Sequence, residues 1–193
     1  MKRRVITGAL VLAAATGCGT GVSIGEAPGL PHCAPAGNEA EGGMVLIAQS
    51  VPSARWLPCV RQVPVGWGFA SFVPRKGRTD MSFDSDRDGN GALEVVLQAT
   101  CDVTGSSEVP SEHPEMRRYE RVTRVTTGFG GERYYVFTGG CVTYRFNLRG
   151  TTRAEPVAVM SEALGFISRN TVARRVRETT DGRLELDVTR EAG

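Results

Sequence analysis

ALEVVLQATC, residues 92–101, has the alternation of a half-buried β-strand. Three apolar side chains share one face of it: Leu93, Val95 and Leu97. Glu94, Val96 and Gln98 fall on the opposite face, because successive side chains of a strand point to opposite sides of a sheet. The stretch therefore predicts a strand with one face in a core.

Similar short segments lie on both sides of this strand and are separated by Gly, Pro and charged turns. The predicted strands are GFASFV (68–73), TDMSFD (79–84), RRYERVTRVTT (117–127), ERYYVFT (132–138) and CVTYRFNL (141–148). Residues 128–131, GFGG, form a hairpin turn in this scheme, since neither a helix nor the Lys-Ser/Thr pair of a phosphate-binding loop follows. Repeated short strands with small turns predict an antiparallel β meander.

The segments before and after the predicted meander have sequence patterns typical of short helices, with one further strand at the C-terminal end. MVLIAQS (44–50) predicts a helix of about two turns before Pro52, and residues 52–59 predict a second, broken turn. Residues 183–188, RLELDV, alternate as a final strand. After Pro156, helical spacing is shown by Val157, Met160, Leu164 and Ile167, followed by a turn that Asn170 would cap. Short N-terminal and C-terminal helices around a meander predict an α+β domain.

The first eighteen residues, MKRRVITGALVLAAATGC, have the features of an export signal. Lys2, Arg3 and Arg4 precede an apolar run of about eleven residues, which is shorter than the roughly twenty that a spanning helix needs. Ala15-Thr16-Gly17-Cys18 resembles the lipobox of bacterial lipoproteins. Ala15 stands where these signals usually carry Leu, Val or Ile. An ordinary secretory signal cut at another small residue is therefore the alternative.

The lipobox resemblance implies an address and a domain organisation. In that family, cleavage before Cys18 makes it the new N-terminus, and its thiol carries a diacylglyceryl group with fatty acyl chains such as palmitate. Residues 1–17 are then a signal peptide, 18–42 a Gly- and Pro-rich flexible tether, and 43–190 one extracytoplasmic domain. The chain is expected on the extracytoplasmic face of the cell membrane. Its Arg-, Ala- and Gly-rich composition is similar to that of small actinobacterial lipoproteins.

Charge and cysteine content fit an exported domain. Without Lys2, Arg3 and Arg4, 20 basic residues face 21 acidic ones, which argues against a nucleic-acid partner. With Cys18 assigned to lipid, an even number of cysteines is left for disulfides. Three pairings are possible. The favoured one is Cys33–Cys59 with Cys101–Cys141, since the second pair falls on predicted neighbouring strands. Zinc is disfavoured because no pair has the close spacing of structural zinc sites.

One loop resembles the start of an EF-hand calcium loop. Asp84, Asp86, Asp88 and Gly89 match its first four conserved places. The pattern then departs, because Val95 occupies the place of the bidentate Glu and the flanking segments are predicted strands. A strand-to-strand turn is the favoured interpretation, since turns also use Asp and Gly. We expect no resident metal and no cofactor.

Catalytic signatures are sparse. The chain has only His32 and His113, and it contains neither a nucleophile elbow nor a zinc-protease motif. The strand carboxylates Glu94, Glu120 and Glu132 cannot be placed together from sequence. A cluster of basic residues (Arg169, Arg174, Arg175, Arg177) could meet anionic lipid heads or an acidic partner, although a solvated helix face is the favoured interpretation.

These observations leave three functional hypotheses, in order of preference. The first is a membrane-anchored, non-catalytic binding module for an envelope protein or another envelope component. The second is a lipid or small-molecule carrier with an apolar cavity between the meander and the C-terminal helix. The third is a hydrolase of unrecognised type.

Overall fold

The structure, a computed structural model, describes residues 29–34, 41–150 and 154–187. Within these ranges it has an antiparallel seven-stranded sheet, a two-stranded sheet and three short helices, so the predicted α+β class is confirmed. In chain order the elements are α1 (Glu41–Ser50), β1 (Trp56–Val60), β2 (Trp67–Arg75), β3 (Arg78–Ser85), β4 (Gly89–Gln98), β5 (Ser107–Val109), β6 (Arg117–Arg124), β7 (Phe129–Phe137), β8 (Gly140–Leu148), α2 (Ala154–Ala163), β9 (Leu164–Ser168) and α3 (Arg169–Thr179). None of these helices is long and apolar enough to cross a bilayer. The predicted signal peptide, residues 1–17, and Cys18 lie outside the described residues.

The large sheet consists of two meanders joined at its centre. Its strand order is β2-β3-β4-β8-β7-β6-β5, so β4 and β8 pair although they are not consecutive in the chain. Val95 of β4 stands opposite Met81 of β3 and Tyr144 of β8. The Cys101–Cys141 disulfide links the segment after β4 to the start of β8. This is the favoured pairing, and β4 and β8 are neighbours as predicted.

The main core lies between one face of this sheet and the helices. Leu93, Val95 and Leu97 are completely buried, as the alternation of residues 92–101 predicts. Helix α1 supplies the buried side chains of Met44 and Ile47 to the same core. Apolar burial of this kind contributes roughly 1.5–3 kcal/mol for each large side chain.

The two-stranded sheet corrects two predictions. Residues 52–59 were predicted as a broken turn and the C-terminal helix was predicted to continue to Ile167, but β1 pairs antiparallel with β9. Leu57 stands opposite Ile167, and both side chains are buried. Helix α2 therefore ends at Ala163. The physical reason is that each segment supplies the main-chain hydrogen-bond partners of the other.

The first described segment, residues 29–34, packs along β1. The Cys33 amide donates to the Val60 carbonyl (N···O 3.0 Å), and the Val60 amide donates to the Pro31 carbonyl (2.7 Å). Leu30 is buried, and the Cys33–Cys59 disulfide closes the contact. This part of the predicted tether is therefore attached to the domain, whereas residues 18–28 and 35–40 lie outside the described residues.

The C-terminal end differs from its prediction in two places. The N-cap of α3 is Ser168, whose Oγ accepts a hydrogen bond from the Thr171 amide at 3.1 Å, so Asn170 is not the cap. Residues 183–187 form no strand, and Val188 lies outside the described residues. Instead, the Leu184 amide donates to Thr180 Oγ1 (3.1 Å), because no neighbouring strand offers it a carbonyl.

Candidate binding site

A pocket of about 290 Å³ lies where the loop between β5 and β6 meets the two-stranded sheet. We call it the His113 pocket. Its lining is mainly aromatic and apolar: Trp56, His113, Pro114, Glu115, Met116 and Phe166. Trp56 comes from β1 and Phe166 from β9, so the pocket exists only because these two strands pair.

The loop that carries His113 is held by its own hydrogen bonds. The hydroxyl of Ser111 donates to the His113 carbonyl at 3.0 Å and accepts from the His113 amide at 3.1 Å. The Met116 amide also donates to the His113 carbonyl, at 3.0 Å. With Pro114 restricting the backbone, these contacts fix the direction of the imidazole.

Aromatic rings surround the imidazole. The His113 ring meets the edge of Phe166 at a centroid distance of 4.9 Å and that of Tyr135 at 5.7 Å. Tyr135 in turn contacts both Phe166 (5.1 Å) and Tyr144 (5.3 Å), and both tyrosines are 1% exposed. Edge-to-face pairs of this kind add about 0.5–1.5 kcal/mol each beyond burial. The pocket therefore has a rigid aromatic wall.

A polar brace stands behind the aromatic wall. Tyr135 donates to Glu112 Oε1 at 2.5 Å, and Arg118 donates to Glu112 Oε2 at 2.6 Å. Burial opposes ionisation of Glu112, but these hydrogen bonds and the Arg118 charge outweigh it and lower the pKa of the carboxyl. Burial and the same hydrogen bond raise the pKa of Tyr135. At neutral pH the pair is therefore a carboxylate and a phenol, which makes Glu112 a brace.

The imidazole of His113 is kept neutral by its surroundings. Burial lowers the pKa of His113, the Arg61 charge lowers it further, and the Glu112 charge opposes them. A neutral imidazole has one nitrogen that donates and one that accepts a hydrogen bond. The pocket can therefore receive an uncharged group without first losing a proton.

One donor in the pocket wall has no partner. Within the described part of the chain, Trp56 Nε1 is buried and makes no hydrogen bond. A buried donor without a partner costs about 1–3 kcal/mol, and because this nitrogen has almost no accessible surface it is a local defect of the wall and not a contact point for a ligand. At the rim, Glu115 is ion-paired with Arg55 at 3.6 Å, and both side chains are more than half exposed.

The three aspartates of the candidate calcium loop lie in the β3–β4 hairpin. Asp84 Oδ1 accepts from the Gly91 amide (2.8 Å), and Asp88 Oδ1 accepts from the amides of Arg149 (2.9 Å) and Gly150 (2.7 Å). Asp86 is exposed. Two of the three carboxylates thus bind main-chain amides, which favours the turn interpretation. Among the described residues, no three His, Cys, Asp or Glu side chains are grouped so that they could hold a metal ion.

The strand carboxylates lie on different faces of the large sheet. On the outer face, Arg145 donates to Glu94 Oε2 at 3.0 Å and to Glu132 Oε1 at 3.3 Å. Glu120 lies on the core face, where it accepts from Arg133 at 2.8 Å. Each carboxylate is therefore part of an ion pair, and the three are not brought into one cleft.

A second concavity, the α1–α3 cleft, has a volume of about 400 Å³. Its lining is mainly apolar and comes from two helices and the C-terminal segment: Gly42, Val45, Gln49, Val176, Thr179, Thr180, Leu184, Glu185 and Leu186. Within the described ranges, Gln49 Oε1 is buried without a hydrogen-bond partner. The apolar carrier cavity was expected between the meander and the C-terminal helix. This cleft lies instead between the two helices.

Comparisons with protein-family models, curated proteins and solved structures find no match. Function must therefore be inferred from the side chains that the structure brings together. The His113 pocket was missed at the sequence level because Trp56 was assigned to a turn and Phe166 to a helix. The one available signal was an aromatic residue in each of two short apolar segments.

Proposed function

We propose that the mature chain is a lipid-anchored extracytoplasmic binding module whose His113 pocket accepts an apolar side chain of a partner protein in the cell envelope. The observation that carries the binding part is the aromatic pocket that Trp56, His113 and Phe166 line, with its rings held by edge-to-face contacts. No catalytic step is assigned to the pocket, because Glu112 is committed to Tyr135 and Arg118.

The anchor is supported by the leader and by the cysteine pairing. Residues 2–4 and the short apolar run have the form of an export signal, and Ala15-Thr16-Gly17-Cys18 resembles a lipobox. The other four of the five cysteines pair with one another in two disulfides, which fits the assignment of Cys18 to the lipid. Disulfides persist in oxidising compartments, and two acyl chains make a stable anchor.

The size and chemistry of the pocket support a single side chain as ligand. A volume of about 290 Å³ lies at the lower end of the range for small-molecule pockets. Its rings are already held in place, so binding would cost little side-chain entropy. Anchoring of one apolar residue in a desolvated pocket is a common source of affinity between proteins.

Tryptophan fluorescence tests the pocket directly, because Trp56 and Trp67 are the only tryptophans in the chain. The Trp67→Phe variant leaves Trp56 as the reporter. We expect saturable changes in its emission with N-acetyl-phenylalaninamide and N-acetyl-leucinamide at millimolar concentration. N-acetyl-glycinamide, which has no side chain to insert, should give no saturable change.

Two variants are the controls. Trp56→Phe keeps the ring but removes the N–H and leaves Trp67 as the reporter, which should not respond. In Trp67→Phe, the further change Phe166→Leu should weaken binding at least tenfold by removing part of the wall. An equal response of Trp67, or the same response to the glycine compound, would show that the pocket is not the site.

Metabolic labelling tests the anchor separately. Cells that produce the wild-type chain should incorporate radioactive palmitate into it, and cells that produce Cys18→Ala should not. Absence of label on the wild type, or label that persists in the variant, would contradict the anchor and leave the pocket experiment unaffected.

The α1–α3 cleft supports a second candidate, a carrier of a lipid or another small apolar molecule. Native mass spectrometry of the chain purified from its host should then detect a retained lipid. Gly42→Leu should displace it, because a Cβ at Gly42 meets no atom within 4 Å and the larger side chain has room to enter the cleft. Gly68→Leu, at an equally open position on β2, is the matched control. Without a retained molecule, or with equal retention in both variants, the carrier hypothesis fails.

A further inference from the structure

A group of arginines surrounds the point where residues 29–34 are fixed to the domain. The Arg175 guanidinium donates to the Cys33 carbonyl at 3.4 Å. Arg61 lies close to the same disulfide, since a Cβ on Gly165 would be 2.8 Å from Arg61 Nε and 3.2 Å from Cys33 Sγ. With the exposed neighbours of Arg175 on α3, these residues form what we call the arginine surface: Arg61, Arg174, Arg175 and Arg177.

The arginine surface differs in one member from the basic cluster identified in the sequence, which was Arg169, Arg174, Arg175 and Arg177. Arg169 is 5% exposed and donates to the Ala48 and Asp187 carbonyls, so it belongs to the interior and not to the surface. Arg61, which is distant in sequence, takes its place. Two acidic residues lie nearby: Glu178, which is 3.9 Å from Arg174, and Glu162, whose carbonyl accepts from Arg61 at 3.3 Å. The surface keeps an excess of positive charge.

The distance along the chain between the proposed lipid anchor and the arginine surface indicates which partner the surface can contact. The first described residue, Gly29, follows Cys18 by 11 residues. A flexible chain of that length has an end-to-end distance of about 17–20 Å. The domain is therefore held close to the bilayer through residues 29–34, the segment whose Cys33 carbonyl Arg175 contacts, at an effective concentration far above that of a free protein.

From this we infer that the arginine surface lies against the membrane and binds the anionic head groups of phospholipids. The inference rests on the proposed lipid anchor. A basic residue near an anionic bilayer strengthens binding by about fivefold. That is weak for a free domain whose net charge is close to zero, but it is sufficient to orient a tethered one. An acidic protein could also recognise arginines, but nothing in the structure brings such a partner to this end, whereas the tether would bring the bilayer.

Arginine-specific chemical modification of vesicle-bound protein tests this at single-residue resolution. Cys18 is the only cysteine outside a disulfide, so the mature chain, residues 18–193, can be coupled at Cys18 to a maleimide lipid. Modification of each arginine by hydroxyphenylglyoxal is then followed by mass spectrometry. Vesicles of phosphatidylcholine alone are compared with vesicles that also contain phosphatidylglycerol. Because the lipid is added chemically, the result does not depend on whether cells acylate Cys18.

On phosphatidylglycerol vesicles we expect modification of Arg61, Arg174, Arg175 and Arg177 to slow about fivefold, and high salt to reverse the effect. Arg75, which is exposed on β2, is the internal control and should not change. Arg174→Glu with Arg177→Glu should remove the protection of Arg61 and Arg175, whereas the matched charge change Arg75→Glu with Lys76→Glu should not. Equal rates on both kinds of vesicle, or equal protection of Arg75, would overturn the inference.

Discussion

Replacement of Asp88 by alanine tests what holds the β3–β4 hairpin to the end of β8. The Asp88 side chain is completely buried, and its Oδ1 accepts hydrogen bonds from the Arg149 and Gly150 amides at 2.9 and 2.7 Å. Hydrogen bonds to a charged group contribute about 1.5–3 kcal/mol each. Since Arg149 is exposed and water can partly replace the carboxylate, we take the lower limit, about 1.5 kcal/mol, for each of the two hydrogen bonds. The expected loss is about 3 kcal/mol of unfolding free energy.

Urea denaturation of the oxidised chain, followed by circular dichroism, measures this loss. Asp86→Ala is the matched control, because Asp86 belongs to the same hairpin turn but is exposed, and its change should stay within about 0.5 kcal/mol. Asp88→Asn keeps one acceptor oxygen and should fall between the two. A loss below about 1 kcal/mol for Asp88→Ala, or equal losses at Asp86 and Asp88, would refute the assignment of Asp88 as the main-chain clamp.

The same variants separate the turn from a calcium site. If Asp84, Asp86 and Asp88 bind calcium, millimolar calcium should raise the urea midpoint of the wild type and Asp86→Ala should remove that increase. In the turn interpretation calcium changes neither midpoint, and calorimetry detects no heat of binding. The exposed Asp86 is therefore the residue that distinguishes the two.

Two further predictions concern the disulfides and the pH dependence of stability. Serine replacement of both members of Cys33–Cys59 or of Cys101–Cys141, which span 26 and 40 residues, should cost about 3.5 and about 4 kcal/mol in denaturant midpoint experiments. Glu112→Gln should destabilise the chain at pH 7, and its difference from the wild type should shrink as the pH falls below the ordinary glutamate value of 4.5. The reason is that the lowered pKa of Glu112 stabilises the fold only while the carboxyl is ionised. A difference that stays constant between pH 7 and pH 3 would contradict this.

The large sheet was predictable because its signal is local. Alternation in residues 92–101 and 141–148 identifies two strands without knowledge of their partners, and the Gly turns identify the ends of their neighbours. The disulfide Cys101–Cys141 followed from placing those strands side by side. The short β5 was not predicted, since three residues are too few for a periodic pattern.

The binding site was not predictable in the same way. His113 was visible only as a histidine in a Pro-flanked loop, and its aromatic neighbours come from β1, β7 and β9. The arginine surface shows the same limit. The sequence grouped Arg169 with its neighbours, yet the structure buries Arg169 and brings in Arg61, which directly follows β1.

What the sequence by itself determined is the α+β class, the strands of the meander and the favoured cysteine pairing. The class and the strands depend on periodicity and turn residues, and the cysteine pairing follows from placing two predicted strands side by side. What only the tertiary structure decided is the β1–β9 pair, and with it the His113 pocket and the end of α2. The physical reason is that residues 164–168 satisfy their main-chain groups with β1, more than a hundred residues away. Their apolar side chains fit a helix or a strand equally well, so only the partner strand selects between them.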